Sequence, residues 1–262
     1  MKTALSNLVK SAIRRFSFLR EFAKRMLPYN IQLFVFSKVY EPEIYFLKKL
    51  LKQQQNGIAV DVGANQGLYT YFLAKKCKLS KVLAFEPNPT PFKILYDKTK
   101  QYNNVEIYNI GISDASEGTL TLQIPLDDRG KQITTRSSFI QSNNKAPYDE
   151  VDVPVATLDG LKLSNVVFIK IDVEGYEEFV LSGSMNTIKT NRPILLIETN
   201  LQEPTENVMR LFSIGYLCYY YERGNLHLID MTNFPNSKRF VNIFFIPYGL
   251  QKSSRILQST VR

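Results

Sequence analysis

The chain has 262 residues, of which 44% are hydrophobic, and it carries a net charge of +9. This composition supports a substantial core and excludes an intrinsically disordered chain. Cys77 and Cys218 are too far apart for a cysteine metal site and too few for a disulfide framework, and no apolar run is long enough to predict a membrane-spanning helix.

The positive charge is concentrated at the start of the chain. Residues 1–27 hold seven basic residues and one acidic residue, a net +6, which leaves +3 for the rest. Apolar residues recur there at helical spacing, and Pro28 ends the pattern, so we predict an amphipathic helix. It packs on the protein's own core, contacts an anionic membrane surface or acts as a transit peptide. Because the body of the chain is only weakly basic, we expect no nucleic-acid partner.

From residue 41 onward, helical and strand patterns alternate. Apolar strands that alternate with helices predict a doubly wound α/β domain with a mostly parallel sheet. Helices are predicted over 41–55, 68–76, 91–101 and 176–181, and strands over Ile58–Val62, Lys81–Phe85, 105–110, 119–124, Val166–Ile171 and 194–197.

The last third of the chain changes character. Strand patterns over Tyr216–Glu222 and 226–230 flank a short turn sequence and predict an antiparallel hairpin, followed by a strand at 241–246. The polar stretch 125–148 has little periodicity and is predicted to be a long loop. We place a helical segment at 1–40, the α/β domain at 41–250 and a tail at 251–262.

A glycine loop follows the first predicted strand. Gly63 and Gly67 are separated by three residues, which does not match the dinucleotide spacing G-x-G-x-x-G. Glycines at this turn let a ligand approach the backbone closely. Asp61 precedes the loop, and a carboxylate there favours a ligand with a cationic amino-acid part over a pyrophosphate. S-adenosylmethionine, with its ammonium and sulfonium groups, fits this description.

Glu86 follows the second predicted strand, 19 residues after Gly67. An acid at this position accepts hydrogen bonds from ribose hydroxyls, whether the ligand is NAD or S-adenosylmethionine.

A charged cluster follows the strand Val166–Ile171. Lys170 within that strand needs a partner for its charge, and Asp172 and Glu174 come where the strand ends. Glu198 ends the next strand and is expected beside them. These residues are the candidate catalytic groups, because carboxylates there can orient an acceptor hydroxyl and remove its proton. Carboxylates also bind hard cations, so a divalent metal at this cluster is a second alternative, although no metal ligand is assigned. A structural salt-bridge network is the third alternative.

His227, the sole histidine, is a further candidate base. It lies in the second strand of the predicted hairpin. The aromatic run 219–221 in the first strand is expected to pack in the sheet, not to stack on nucleic-acid bases.

Several blocks, in order, resemble the FkbM-type S-adenosylmethionine-dependent methyltransferases. The most specific is the Lys-Ile-Asp-Val-Glu-Gly run that begins at Lys170. Matching blocks lie at residues 40–43, 60–67, 85–89, 109–114, 137–138, 157–159 and 169–177.

The resemblance implies a Rossmann-like methyltransferase that acts on a hydroxyl oxygen of a sugar, glycan or secondary metabolite. It also implies that Ile110 runs beside the adenine and that Asp172 faces the methyl group. The complete set of predicted cofactor-binding residues is Asp61, Gly63, Ala64, Asn65, Gly67, Glu86, Asn88, Ile110 and Asp172.

We therefore expect a cytoplasmic O-methyltransferase that uses S-adenosylmethionine and a small-molecule or glycan acceptor. If residues 1–27 bind lipid, it is attached to the cytoplasmic face of a membrane. An NAD-dependent oxidoreductase and a non-catalytic, methyltransferase-like binding subunit are the alternatives. The first would bind NADH, and the second would lack turnover.

Overall fold

The computed structural model describes residues 41, 43–52, 54, 56–77, 79–140, 147–199, 204–222, 224–230 and 242–253. The predicted helix over 1–27, most of the tail at 251–262 and the start of the last predicted strand lie outside these residues. The chain divides into two units, residues 1–45 and 46–262. The second unit contains the sheets and the candidate site. No helix in the described part of the chain is long and apolar enough to cross a membrane.

Two sheets are formed by the described residues. The larger has eight strands, and the smaller has three. In chain order the strands are β1 (Ile58–Val62), β2 (Lys81–Phe85), β3 (Val105–Tyr108), β4 (Gly111–Ile112), β5 (Thr119–Pro125), β6 (Tyr148–Ala156), β7 (Val166–Ile171), β8 (Ile194–Glu198), β9 (Tyr216–Glu222), β10 (Asn225–Leu228) and β11 (Asn242–Pro247).

The larger sheet has the strand order β10-β9-β11-β8-β7-β1-β2-β3. Strands β3, β2, β1, β7 and β8 are parallel to their neighbours within this group. Strand β11 is antiparallel to both β8 and β9, and β9 and β10 form the predicted antiparallel hairpin. The predicted doubly wound α/β class is therefore confirmed, including its antiparallel C-terminal end.

Helices cover the sheet between these strands. They are α1 (Ile44–Leu50), α2 (Leu68–Phe72), α3 (Pro89–Thr99), α4 (Glu177–Ser182), α5 (Met185–Asn191), α6 (Glu206–Ser213) and α7 (Tyr248–Ser253). Helix α2 continues as a π-helical turn, Leu73–Cys77. Helix α3 begins where the sequence provides a cap, because the side chain of Asn88 accepts a hydrogen bond from the Thr90 N–H and prolines occupy the first turn.

Alternating side chains of the parallel strands face opposite layers. On one face, Val60, Ile169 and Leu195 belong to the main buried cluster together with residues of α4, α5 and α6. Asp61 and Lys170 therefore point to the other face. They are register partners across β1 and β7, and both are buried. Two opposite charges thus lie side by side inside the domain, just before their strands end.

Several elements differ from the prediction. Helix α1 covers only Ile44–Leu50 of the predicted 41–55, and α5, α6 and α7 were not predicted. Strand β6 was also missed. It pairs with β5 over seven residues and with β4, and it begins at Tyr148, where the predicted loop 125–148 ends. Val151, Val153 and Val155 alternate with the exposed Glu150, Asp152 and Pro154, a two-residue strand pattern that the sequence contains but that the prediction overlooked.

Candidate active site

The candidate site lies where the parallel strands β1, β2, β7 and β8 end, the edge at which open α/β sheets bind ligands. The glycine loop after β1 is held against β2, because the N–H groups of Gly63 and Ala64 both donate to the Phe85 oxygen at 3.0 Å. Gly63 has a φ of +76°, and a Cβ there would lie 1.8 Å from the backbone oxygen of Asp172. The loop after β1 therefore touches the loop after β7, and only glycine permits this approach.

Glu86 is buried at the end of β2 and faces the glycine loop. One carboxylate oxygen accepts the Asn65 N–H at 2.6 Å, and the other accepts the Asn88 N–H at 2.9 Å. Burial raises the pKa of Glu86 to about 7, although these two hydrogen bonds lower it. Each oxygen has a second lone pair. The carboxylate can therefore accept further hydrogen bonds from a ligand.

Asn88 has a structural position in the same loop. Its side-chain oxygen caps α3, and its nitrogen donates to Ser137 Oγ at 3.0 Å. The side chain thus ties the β2 loop to the connection between β5 and β6. Among the other predicted contacts, Gly67 lies at the start of α2 in a left-handed conformation, and Ile110 is partly buried just after β3.

Asp61 is fully buried, and its two carboxylate oxygens differ. One accepts a hydrogen bond from Thr70 Oγ1 at 2.6 Å, and the other has no hydrogen-bond partner. Burial raises the pKa of this carboxyl, while the charge of Lys170 lowers it. A buried acceptor without a donor is uncommon in folded proteins. This orphan oxygen, the acid at Glu86 and the glycine cradle fit a cofactor that carries ribose hydroxyls and a cationic amino-acid part.

Lys170 has the partner that the sequence requires. Its Nζ lies 2.8 Å from Asp172 Oδ2 and 4.7 Å from the centre of the Tyr69 ring. The lysine is 3% exposed, so this ion pair is largely shielded from solvent. Burial favours the neutral form of Asp172, but Lys170 and a hydrogen bond from Glu198 together hold the pKa of Asp172 below its usual range.

The structure brings three predicted carboxyl groups together. One oxygen each from Asp172, Glu174 and Glu198 lies within 4.8 Å of the others. Burial and then the hydrogen bond and charge of Asp172 raise the pKa of Glu198. The pKa values of Asp172 and Glu198 are thus shifted in opposite directions, so that a proton shared by the pair favours Glu198. Such a cluster also has the ligand chemistry of a hard-cation site.

Glu174 is the exposed member of this cluster. Its φ of +52° is unusual for a residue with a side chain. Its backbone oxygen accepts a hydrogen bond from Ser138 Oγ at 2.8 Å, which fixes the loop after β7 against the β5–β6 connection.

His227 is not brought to this cluster. It lies on β10, and β9, β11 and β8 separate that strand from β7. Its ring stacks on Tyr220 at 4.9 Å. The structure thus gives the imidazole a packing contact at the far edge of the sheet and removes it from the candidate bases.

Sequence reasoning missed three residues of the site: Tyr69, Thr70 and Arg136. The first two lie in the first turn of α2, directly after the glycine loop, and contact the charged residues of β1 and β7. Helix α2 starts directly after the glycine loop, so residues of its first turn are expected to lie near the end of β1. The sequence therefore contained a signal for Tyr69 and Thr70. The charge of Arg136 acts on Glu174, but no local pattern links these residues.

The fold and the site define a class of protein, a Rossmann-like methyltransferase. Residues 61–224 match the family model described as the methyltransferase FkbM domain. This match covers more than half of the chain, from Asp61 to Gly224 in the turn of the hairpin. The chain belongs to the FkbM methyltransferase family, whose members depend on S-adenosylmethionine, as the sequence blocks predicted.

Individual relatives are more distant. The chain is 25% identical to the methyltransferase sdnD of Sordaria araneosa, with 57% of this chain and 68% of the relative covered. It is 27% identical to the hexuronic acid methyltransferase AglP of Haloferax volcanii, with 64% of this chain and 66% of the relative covered. The chain thus spans about two thirds of the length of each of these curated relatives.

Among solved structures, a methyltransferase FkbM from Methylobacillus flagellatus KT matches with a TM-score of 0.48 and 19% identity, over 86% of this chain and 57% of that one. A protein of Streptococcus mutans, solved in complex with SAH, matches with a TM-score of 0.41 and 13% identity, over 77% of this chain and 96% of that one.

Proposed function

We propose that this protein transfers the methyl group of S-adenosylmethionine to a hydroxyl oxygen of a sugar, glycan or secondary metabolite. The observation that carries the proposal is the contact between two loops: the glycine loop after β1 touches the backbone of Asp172, and the pKa of the Asp172 carboxyl is held below its usual range. A methyl donor held by the first loop would therefore lie next to a base on the second.

The cofactor would be held by the β1 and β2 loops. The glycine loop (Gly63, Ala64, Asn65 and Gly67) supplies close backbone approach, and Glu86 accepts hydrogen bonds from the ribose. Asp61 offers its unpartnered oxygen toward the cationic amino-acid end, directly or through water. Asn88 holds the ribose loop in place, and Ile110 provides an apolar wall. When bound, the cofactor supplies an electrophilic methyl group.

The acceptor hydroxyl would bind at Asp172. Its ionised carboxyl accepts a hydrogen bond from the hydroxyl, which orients the oxygen and takes its proton as the methyl group is transferred. Lys170 keeps Asp172 ionised by its positive charge. Glu198 stores one proton beside it, and Glu174 borders the open side of the cluster. No metal is needed for this proton transfer, although these carboxyls are the groups that would bind one.

One relative supports an acceptor of the sugar class. AglP is named as a hexuronic acid methyltransferase, which places a sugar derivative among the substrates of similar proteins.

The test is a methyl-transfer assay on the full chain with methyl-labelled S-adenosylmethionine and a panel of sugars, glycans and hydroxylated metabolites. We expect cofactor-dependent labelling of at least one hydroxyl compound, with release of S-adenosylhomocysteine. Binding of the cofactor without transfer to any member of the panel would favour a binding subunit. Preferential binding of NADH would contradict the proposal outright.

A further inference from the structure

Part of the connection between β5 and β6 crosses the open end of the site. We call residues 132–140 the bridge segment. Its Ser137 Oγ accepts a hydrogen bond from Asn88 at 3.0 Å, and its Ser138 Oγ donates one to the backbone oxygen of Glu174 at 2.8 Å. The bridge segment is thus attached both to the loop proposed to hold the ribose and to the loop that carries the acidic cluster.

Arg136 lies in the bridge segment immediately before these two serines. Its backbone is ordered by the short 3-10 turn Thr134–Arg136, while its side chain is exposed. In the part of the chain that the structure describes, its guanidinium makes neither an ion pair nor a hydrogen bond. Its charge nevertheless acts on Glu174: burial and the charges of Asp172 and Glu177 raise the pKa of that carboxyl, and Arg136 lowers it. Arg136 lies two residues before Ser138, which bonds the Glu174 backbone oxygen at 2.8 Å, so its long side chain is within reach of the cluster and its donors are available.

The other cation that acts on this cluster is Lys170. It is buried and already paired with Asp172. It cannot bind an exposed ligand without giving up that pair. Of the two cations, Lys170 and Arg136, only Arg136 is therefore free to bind an anionic group at the exposed side of the site.

We propose that Arg136 binds a carboxylate of the methyl acceptor, so that the acceptor is an acidic sugar or a related hydroxy acid. This inference rests on the function proposed above. The planar guanidinium fork matches a carboxylate through two parallel hydrogen bonds. A carboxylate is favoured over a phosphate because one exposed cation neutralises one charge, and a dianion beside Asp172 and Glu174 would be repelled more strongly.

The test compares two sugars that differ in one group. The full chain, saturated with S-adenosylhomocysteine, is titrated calorimetrically with D-glucuronate and with D-glucose. We expect glucuronate to bind at least about tenfold more tightly, the smaller end of the range for hydrogen bonds to charged groups. The variant Arg136→Gln should lose this preference. The matched variant Arg129→Gln, an exposed arginine of the same connection, should keep it.

The same titrations separate the possible failures. Equal binding of the two sugars by the wild type would contradict the inference, as would a preference that survives in Arg136→Gln or disappears in Arg129→Gln. If the wild type does not bind S-adenosylhomocysteine at all, the proposed function itself fails. Unchanged affinity of Arg136→Gln for S-adenosylhomocysteine would show that the substitution leaves the cofactor half intact.

Discussion

The site has two halves, each with two buried or half-buried carboxyl groups. The β1–β2 half contains Asp61 and Glu86, and the β7–β8 half contains Asp172 and Glu198. The hydrogen-bond partners of the carboxyl groups differ between the halves. In the first half, the hydrogen-bond donors to Asp61 and Glu86 are neutral: a threonine hydroxyl and two backbone N–H groups. In the second half, Asp172 is bonded to the charged Lys170 and to the carboxyl of Glu198.

This difference assigns different tasks to the two halves. Neutral donors fix Glu86 in place without cancelling its charge, so it can still attract hydroxyl groups of a ligand. Asp61 keeps one oxygen without a donor although Lys170 lies beside it. In the second half, Asp172 interacts with Lys170 and Glu198, so its charge is balanced by neighbouring side chains of the protein. The pKa of Asp172 is lowered and that of Glu198 is raised, which favours an ionised Asp172, the form required of a group that accepts a proton. We infer that the first half binds the cofactor and the second handles the acceptor proton.

The largest expected effect comes from Asp172→Asn. The amide keeps the shape of the side chain but cannot take a proton, so we expect turnover to fall by about 100-fold or more, with cofactor affinity retained. Single-turnover rates at saturating cofactor measure this.

Two companion variants sharpen the result. Glu198→Gln imitates the protonated state that Glu198 already has, so its loss of turnover should be clearly smaller. Asp97→Asn, in an exposed ion pair on α3, should behave as wild type. Equal losses in Asp172→Asn and Glu198→Gln would contradict the proton assignment. Activity that disappears on chelation and returns with magnesium would instead make these carboxyls metal ligands.

Gly63→Ala tests the contact between the two halves. The new Cβ would collide with the Asp172 backbone, and the residue would keep an unfavourable positive φ. We expect the free energy of unfolding to fall by about 2–4 kcal/mol from overpacking and backbone strain together. Chemical denaturation measures it. Gly249→Ala is the control, since a Cβ there meets nothing within 4 Å. Unchanged stability of Gly63→Ala would mean that the two loops do not touch.

Glu86→Ala addresses the cofactor half alone. Loss of hydrogen bonds from the ribose to a charged acceptor should weaken S-adenosylmethionine binding by about 1.5–3 kcal/mol. The single-turnover rate at saturating cofactor should change far less than in Asp172→Asn. Glu106→Ala, an exposed acid on the neighbouring strand β3, is the matched control for calorimetry. Wild-type affinity in Glu86→Ala would remove this residue from the cofactor site.

The sequence predicted the parts of the fold that depend on continuous apolar runs. Strands β1, β2, β7 and β9 begin and end where predicted, because each run is bounded by polar or turn residues. Strand β6 and helices α5 and α6 were missed. Helices α5 and α6 have only seven and eight residues, too few to repeat the helical period several times, whereas the alternating valines of β6 are a strand signal that the prediction did not use.

The candidate site shows a similar limit. Residues within one loop, such as Asp172 and Glu174, could be grouped from the sequence because they are neighbours. The orphan oxygen of Asp61 and the influence of Arg136 on Glu174 depend on how separate strands and loops meet. Such contacts appear only after the chain is folded.

The central claim, that the β1–β2 half holds S-adenosylmethionine through ionised Glu86, is tested most directly by calorimetric titration of the wild-type chain with that cofactor at pH 6 and pH 8, with NADH as the comparison. Burial places the pKa of Glu86 at about 7. Ribose hydroxyls donate to the ionised form, so binding should weaken as pH falls through this value, by up to about tenfold per pH unit. We predict that S-adenosylmethionine binds more tightly at pH 8 than at pH 6, that Glu86→Gln loses this dependence, and that NADH binds poorly. Preferential binding of NADH, or no binding of S-adenosylmethionine at either pH, would contradict the account.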